Sequence, residues 1–167
     1  KPLPDEQSAI AVARGRWDGR GLAGTEDVFV TEPGAGDRSR LVFGPDGTLY
    51  VSTNGEGAQD PGSHGGKILR LTDAGGVPPD NPFVGIDGYR PEIFTLGHRT
   101  TLGLAVHPGT GAVWQNENGP NGGDEINILK AGANYGWPLV SLGRTYQGPW
   151  HAQRFQAPAF EDPVVYW

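Results

Sequence analysis

The 167-residue sequence contains no cysteine and no methionine. Without cysteine there can be neither a disulfide framework nor a thiolate metal site, and thiol usage gives no reading of the redox compartment. A translated chain normally starts with methionine, so Lys1 is expected to lie downstream of the start of synthesis, through signal cleavage or excision from a longer chain. Long helices are missing as well. The longest stretch free of both glycine and proline runs only from Asp5 to Arg14, and a glycine or proline inside a helix costs about 1 or 3 kcal/mol relative to alanine. No apolar run approaches the ~20 residues of a membrane helix. Lysine and arginine together number 13, dispersed along a chain of net charge −6. Without a basic run to track phosphates, nucleic acid and anionic membrane are not expected as partners.

What the chain does have is 28 glycines and 15 prolines, about twice ordinary usage. Such a fraction can mean disorder, but with 10% aromatic and only 19% charged residues the chain is not the weakly hydrophobic, self-repelling kind. An all-β protein of short strands and many turns fits better. Leu41-Val42-Phe43, the turn Gly44-Pro45-Asp46-Gly47 and Thr48–Ser52 read as a hairpin. The plan recurs at Leu104–Pro108, Gly109-Thr110-Gly111 and Ala112–Gln115, with Pro108 in the place of Pro45. Each hairpin is followed by two more strand candidates: Lys67–Leu71 and Glu92–Leu96 in the first unit, Glu125–Leu129 and Asn134–Trp137 in the second.

Repeating four-stranded units suggest propeller blades, with a β-sandwich as the alternative. The expected division of the single domain 1–167 is an incomplete blade at 1–37, blades at 38–98 and 99–140, and the start of another at 141–167. Rings close with about four to eight blades and this length holds about three. The chain is therefore expected either to be part of a longer protein or to complete its ring as a homo-oligomer.

Among candidate sites, Asn116–Glu125 packs glycine and proline around two adjacent carboxylates, Asp124 and Glu125. A turn that frees carbonyls beside carboxylates suits calcium, which takes six to eight oxygens, although an acidic surface turn would look the same. His64, His98, His107 and His151 are all the histidines. None has a zinc-type spacing, and each reads more naturally as a turn or strand residue. His98, beside Arg99, is the most interesting base, its alternative being a strand-end pair facing solvent. There is no Gly-x-Ser-x-Gly nucleophile motif and no phosphate loop. Tyr135, Trp137 and Tyr146 bring flat aromatic faces together, either for a planar ligand or for packing between sheets.

Several segments in order, Gly66–Leu71, Asp80-Asn81-Pro82-Phe83, Leu96-Gly97-His98-Arg99, Glu117-Asn118-Gly119-Pro120, Gly123–Asn127 and Gly132–Pro138, resemble those of the soluble PQQ-dependent aldose sugar dehydrogenases, the glucose/sorbosone dehydrogenase family. The resemblance implies a six-bladed propeller that binds calcium and pyrroloquinoline quinone (PQQ) and oxidises an aldose sugar at C1. Carried over, it makes the carbonyls of Gly119 and Pro120 the calcium ligands under the quinone. It gives Glu125 and the Tyr135 carbonyl a second, structural calcium, and makes Arg99 and Tyr146 quinone contacts. Export of family members implies a periplasmic or secreted location.

The sequence departs from the family pattern in two places. Gly36, in Gly36-Asp37-Arg38-Ser39-Arg40-Leu41, stands where the family carries its catalytic histidine, and a glycine cannot accept a proton. Asp37 is the only nearby substitute base. Thr100 and Leu102 replace an asparagine and a glutamine beside the quinone. Two functions follow as expectations: a dehydrogenase-like protein impaired at its base, or a non-catalytic binding or assembly module that keeps the scaffold and a calcium site.

Overall fold

The computed structural model describes residues 8–150 and 159–167; His151 and Pro158 lie outside them. Among the described residues there is no helix, and none, therefore, long and apolar enough to cross a membrane. The strands are β1 (Ala11–Trp17), β2 (Leu22–Val30), β3 (Leu41–Phe43), β4 (Leu49–Ser52), β5 (Lys67–Leu71), β6 (Ile93–Leu96), β7 (Thr101–Val106), β8 (Val113–Glu117), β9 (Glu125–Ile128) and β10 (Val165–Tyr166). They form a ribbon β1-β2 and two four-stranded sheets, β3-β4-β5-β6 and β10-β9-β8-β7. All pairings between strands of these sheets are antiparallel.

The expected hairpins are the backbone of both sheets. In the first, Thr48 donates its backbone N–H and its hydroxyl to Asp46 Oδ1 at 3.0 and 2.7 Å, while Gly44 N–H reaches Thr48 O at 2.8 Å. In the second, His107 N–H donates to Ala112 O at 2.9 Å and Gly111 N–H to His107 O at 2.8 Å. Gly111 lies against the ring of Pro45. The two turns are thus neighbours, and the two sheets stack in step.

The alternation of side chains along β4 and β5 sends successive residues to opposite faces. Leu49, Val51, Leu69 and Leu71 join Val12, Phe83, Ile93 and Leu96 in one core cluster, with Val28 and Phe29 of the ribbon against it. Tyr50 and Ile68 point the other way, into a cluster with Val113, Leu129 and Tyr135 of the second unit. The first sheet is therefore a middle layer, covered by the ribbon on one face and by the second sheet on the other. A sandwich has two sheets and no such layer, so the sandwich alternative does not describe these residues.

One strand assignment is corrected. The fourth strand of the second sheet is not Asn134–Trp137 but β10, which pairs Val165 with Ile126 and Tyr166 with Glu125. Asn134 contributes only an isolated parallel bridge to Leu96, and Gly136 and Trp137 leave it in a turn. Alternation misled here because the aromatic pair Tyr135 and Trp137 mimics a strand, although Gly136 lies between the two and Pro138 follows.

Candidate functional site

The stretch from Gly97 to Thr101 links the two sheets, and Asn118–Asp124 joins β8 to β9 at the same end of the fold. Gly119 sits where no side chain would fit: a Cβ would run into the Gly122 carbonyl and lie 2.8 Å from Gly123. Its N–H donates to Asp124 Oδ1 at 2.9 Å. This pins the turn and sets the directions of its carbonyls.

Arg99 is what those carbonyls meet. Its Nη1 donates to Asn118 O at 3.1 Å and Gly119 O at 3.2 Å, and Nη2 donates to the Tyr146 hydroxyl at 2.7 Å. The guanidinium also lies 5.4 Å from the Trp137 ring centroid and 5.8 Å from that of Tyr146, both within cation–π range. Thus Arg99, Gly119 and Tyr146 converge at one place. Trp137, half-buried, joins them as a cation–π partner. Pro120 follows in the same bend, half-buried.

Arg99 lines a small, partly open space together with Glu117, Asn118, Gly119, Gly123, Glu125, Trp137, Val140 and Ser141. Its volume is about 10 Å³, about one water. Glu117 and Glu125, opposite each other on β8 and β9, are 5% and 3% exposed. Burial pushes the Glu117 carboxyl up, but the hydrogen bond and charge of His98, the Gln115 amide at 2.9 Å and the Arg99 backbone N–H at 3.1 Å outweigh it, so its pKa lies below the ordinary value. Behind it runs a buried polar ladder. Asn127 Nδ2 donates to Gln115 Oε1 at 3.0 Å, and Gln115 Nε2 donates to Thr101 Oγ1 at 3.0 Å.

His98 is neither a solvent-facing strand-end residue nor an accessible base. It is fully buried, its Nε2 2.8 Å from Thr95 Oγ1, its Nδ1 3.3 Å from Glu117 Oε2, and its ring stacked on Tyr135 with centroids 4.7 Å apart. The Tyr135 side chain belongs to the core, its hydroxyl donating to Ile128 O at 2.6 Å. His107 stays in its exposed turn, accepting from Thr110 N–H at 3.2 Å. Reading for histidine thus overlooked Glu117, whose signal was the inward alternation Val113, Gln115, Glu117.

Gly36 has φ +94°, and a Cβ there would overlap Asn54. Asn54 Oδ1 accepts from the N–H groups of Asp37 and Arg38 at 3.1 and 3.0 Å, and its amide donates to Asp37 Oδ1 at 3.1 Å. Asp37 is exposed. Thr100 O accepts from Asn118 N–H at 3.2 Å, and Leu102 O accepts from Arg40 Nε at 2.8 Å.

A second cluster was invisible in the sequence. His64, 3% exposed, is gripped between Glu32 and Glu92, and Arg90 reaches Glu32 at 3.0 Å. Glu32 follows β2 and Glu92 precedes β6, so this cluster fastens the ribbon to the first sheet. Its four residues come from three chain-distant segments, and no local motif announces it.

Oxygen donors suited to a hard cation are present: the Gly119 carbonyl, the carboxylates of Glu117 and Glu125, and Asn118 Oδ1, which is buried without a hydrogen-bond partner. Among the described residues, no three or more His, Asp or Glu side chains gather to hold a metal, so such an ion would lean on carbonyls. A guanidinium between aromatic faces is in turn suited to a planar anion.

The Glucose / Sorbosone dehydrogenase family model matches residues 3–167. Aldose sugar dehydrogenase YliI of Escherichia coli K12 is 43% identical over 141 residues, covering 77% of this chain and 36% of that protein. The crystal structure of the soluble aldose sugar dehydrogenase from Escherichia coli in its apo form superposes with a TM-score of 0.93 at 37% identity, over 100% of this chain and 52% of the other. The PQQ-bound aldose sugar dehydrogenase of Streptomyces coelicolor gives a TM-score of 0.74 at 33% identity, over 94% of this chain and 45% of the other. The chain spans about half the length of these solved relatives.

Proposed function

The chain belongs to the glucose/sorbosone dehydrogenase family, and from that premise we propose that it is about half of a six-bladed, PQQ- and calcium-dependent aldose sugar dehydrogenase ring, carrying part of the cofactor site but impaired as a catalyst. The observation that carries this reading is the convergence of Arg99, Tyr146, Trp137 and the Gly119 carbonyl on one rim. When bound, PQQ would supply the oxidant that takes hydride from the sugar C1, with calcium polarising its reacting carbonyl.

This chain's own residues would act around that chemistry. Arg99 would orient the planar anion through its guanidinium fork, and Trp137 would present a flat face to it. The Gly119 and Pro120 carbonyls would hold one calcium, and Glu125 with the Tyr135 carbonyl a second. Glu117 would keep Arg99 in place through its backbone N–H. No described histidine is free to take the sugar hydroxyl proton: His64 is held by two glutamates, His98 is buried, and His107 lies in a turn.

The impairment rests on position 36. A positive φ and the contact with Asn54 favour glycine there over any side chain. A general base contributes about 10²–10⁴ in rate, so a site without one should turn over by roughly that factor more slowly than a histidine-bearing relative. The same feature favours the second reading, a non-catalytic binding module. Calorimetric titration with PQQ and calcium, followed by a redox-dye assay with aldoses, separates the two. Cofactor uptake with slow, measurable dye reduction supports the dehydrogenase; uptake without reduction supports the module; no uptake overturns both.

A further inference from the structure

Arg99 occupies one of the two carbonyls that the calcium proposed above would need, that of Gly119. Its Nη1 is shared between Asn118 O and Gly119 O at 3.1 and 3.2 Å, and its other arm is tied to Tyr146 at 2.7 Å. We propose that Arg99 is an internal plug at the Asn118–Gly119 turn, so that cation capture there is coupled to the arrival of a planar polycarboxylate that draws the guanidinium away. The inference rests on the PQQ and calcium reading above and adds an order of events to it.

The argument begins with the turn, which cannot step aside. Gly119 is packed against Gly122 and Gly123, and its N–H is held by Asp124. A divalent ion bound to the Gly119 carbonyl would sit within a few ångströms of the guanidinium, and two cations at that distance repel. The charge of Glu117 does not relieve this, being already shared among His98, Gln115 and the Arg99 N–H. The plug is also comfortable where it is: Trp137 and Tyr146 both offer ring faces to it.

It is removable from one side only. Tyr146 is 71% exposed, so the outer aromatic partner and its hydroxyl can give way while Trp137 remains. Carboxylates accept from a guanidinium in bidentate, charge-assisted pairs that are stronger than its bonds to neutral peptide carbonyls. A planar anion offering them would turn Arg99 outward and release Gly119 O. By linkage, the cation would then tighten the anion by the same factor.

The test is calorimetric titration of Ca²⁺ into the protein and into Arg99→Gln and Tyr146→Phe, each with and without saturating PQQ. The expected result is that PQQ raises the calcium affinity of the unmodified protein by about tenfold or more. Arg99→Gln should bind calcium more tightly than the unmodified protein when PQQ is absent, and gain less from PQQ. Tyr146→Phe should lie between them. Equal calcium affinity in the unmodified protein and a folded Arg99→Gln, with PQQ still binding, overturns the plug and leaves the family reading standing. No binding of calcium or PQQ by any of the three overturns both. If Arg99→Gln does not fold, Tyr146→Phe decides: an unchanged calcium affinity overturns the plug.

Discussion

Gly36 stands where the resemblance puts a histidine, but its backbone gives the substitution a physical meaning. At φ +94°, with Asn54 filling the space a Cβ would need, restoring the imidazole means rebuilding the loop. A non-glycine residue in a sparsely populated region costs about 1–3 kcal/mol before any clash. Gly36→His is therefore expected to lower the unfolding free energy by at least about that amount and to leave dye reduction unimproved; a folded variant with raised turnover would refute this. Lys67 gives a second residue-scale prediction. Its ammonium is buried, donating to Gly57 O at 2.7 Å and Gly65 O at 2.6 Å, and burial lowers its pKa to about 8 from 10.5, only partly countered by Asp60 and Glu32. The folded state therefore binds fewer protons than the unfolded one between these values. Stability contributed by this group should rise as pH increases from about 8 toward 10.5. Urea denaturation at pH 8 and pH 10 checks the slope, and Lys67→Met should remove it.

At the scale of elements, the segments most diagnostic of the family are mostly scaffold. In Asp80-Asn81-Pro82-Phe83, Asn81 Nδ2 donates to the carbonyls of Arg70 and Pro91 at 2.9 and 3.0 Å, Asp80 pairs with Arg70 at 2.9 Å, and Phe83 lies in the core. Arg70 reaches Asp46 in the first hairpin turn at 2.6 Å, so one guanidinium ties β5 to the loops on either side. Removing the Asn81 amide strands two carbonyls, each costing about 1–3 kcal/mol if left buried and unpaired. Asn81→Ala should thus lose about 2 kcal/mol or more in urea denaturation, and Asn81→Asp should not recover it, since a carboxylate cannot donate. What the sequence made legible at this scale follows from locality. Leu41–Ser52 and Leu104–Gln115 carry a turn signal between alternating residues, and both hairpins are present. β10 was misassigned because its partner, β9, lies far back along the chain, and Val165-Tyr166 is too short to show a period. The His64 and Glu117 clusters escaped for the same reason: burial of a charged group is decided by which sheets stack, and no window of sequence contains that.

For the whole molecule, the stacking of ribbon, first sheet and second sheet leaves two flanks of different character. The outward face of the second sheet presents Trp114, Asn116 and Ile126 beside Gly103 and Ala105, a shallow and mainly apolar groove. At the other flank Leu22, Leu41 and Phe43 border a second apolar groove with Val12 and Val28, and Trp17 is 66% exposed. The first sheet shows what such faces do when covered: Leu69 and Ile68, on opposite sides of one strand, are both fully buried. Contiguous apolar surface of this kind favours association, at roughly 25 cal/mol for each Å² removed from water. The chain spans about half the length of its solved relatives; in the proposed ring a further blade would stack on the second sheet's groove, and further strands beside the ribbon would fill the groove it forms with Leu41 and Phe43 of the first sheet. Supplied with nothing else, the flanks should find those of a second copy. Sedimentation velocity is expected to show a mass that rises with protein concentration through the micromolar range. Phe43→Glu and Ile126→Lys, which charge opposite flanks, should each lower it. A monomer across that whole range, unchanged by either substitution, would mean that the grooves are stable in water, and the ring-completing role proposed for them would fall.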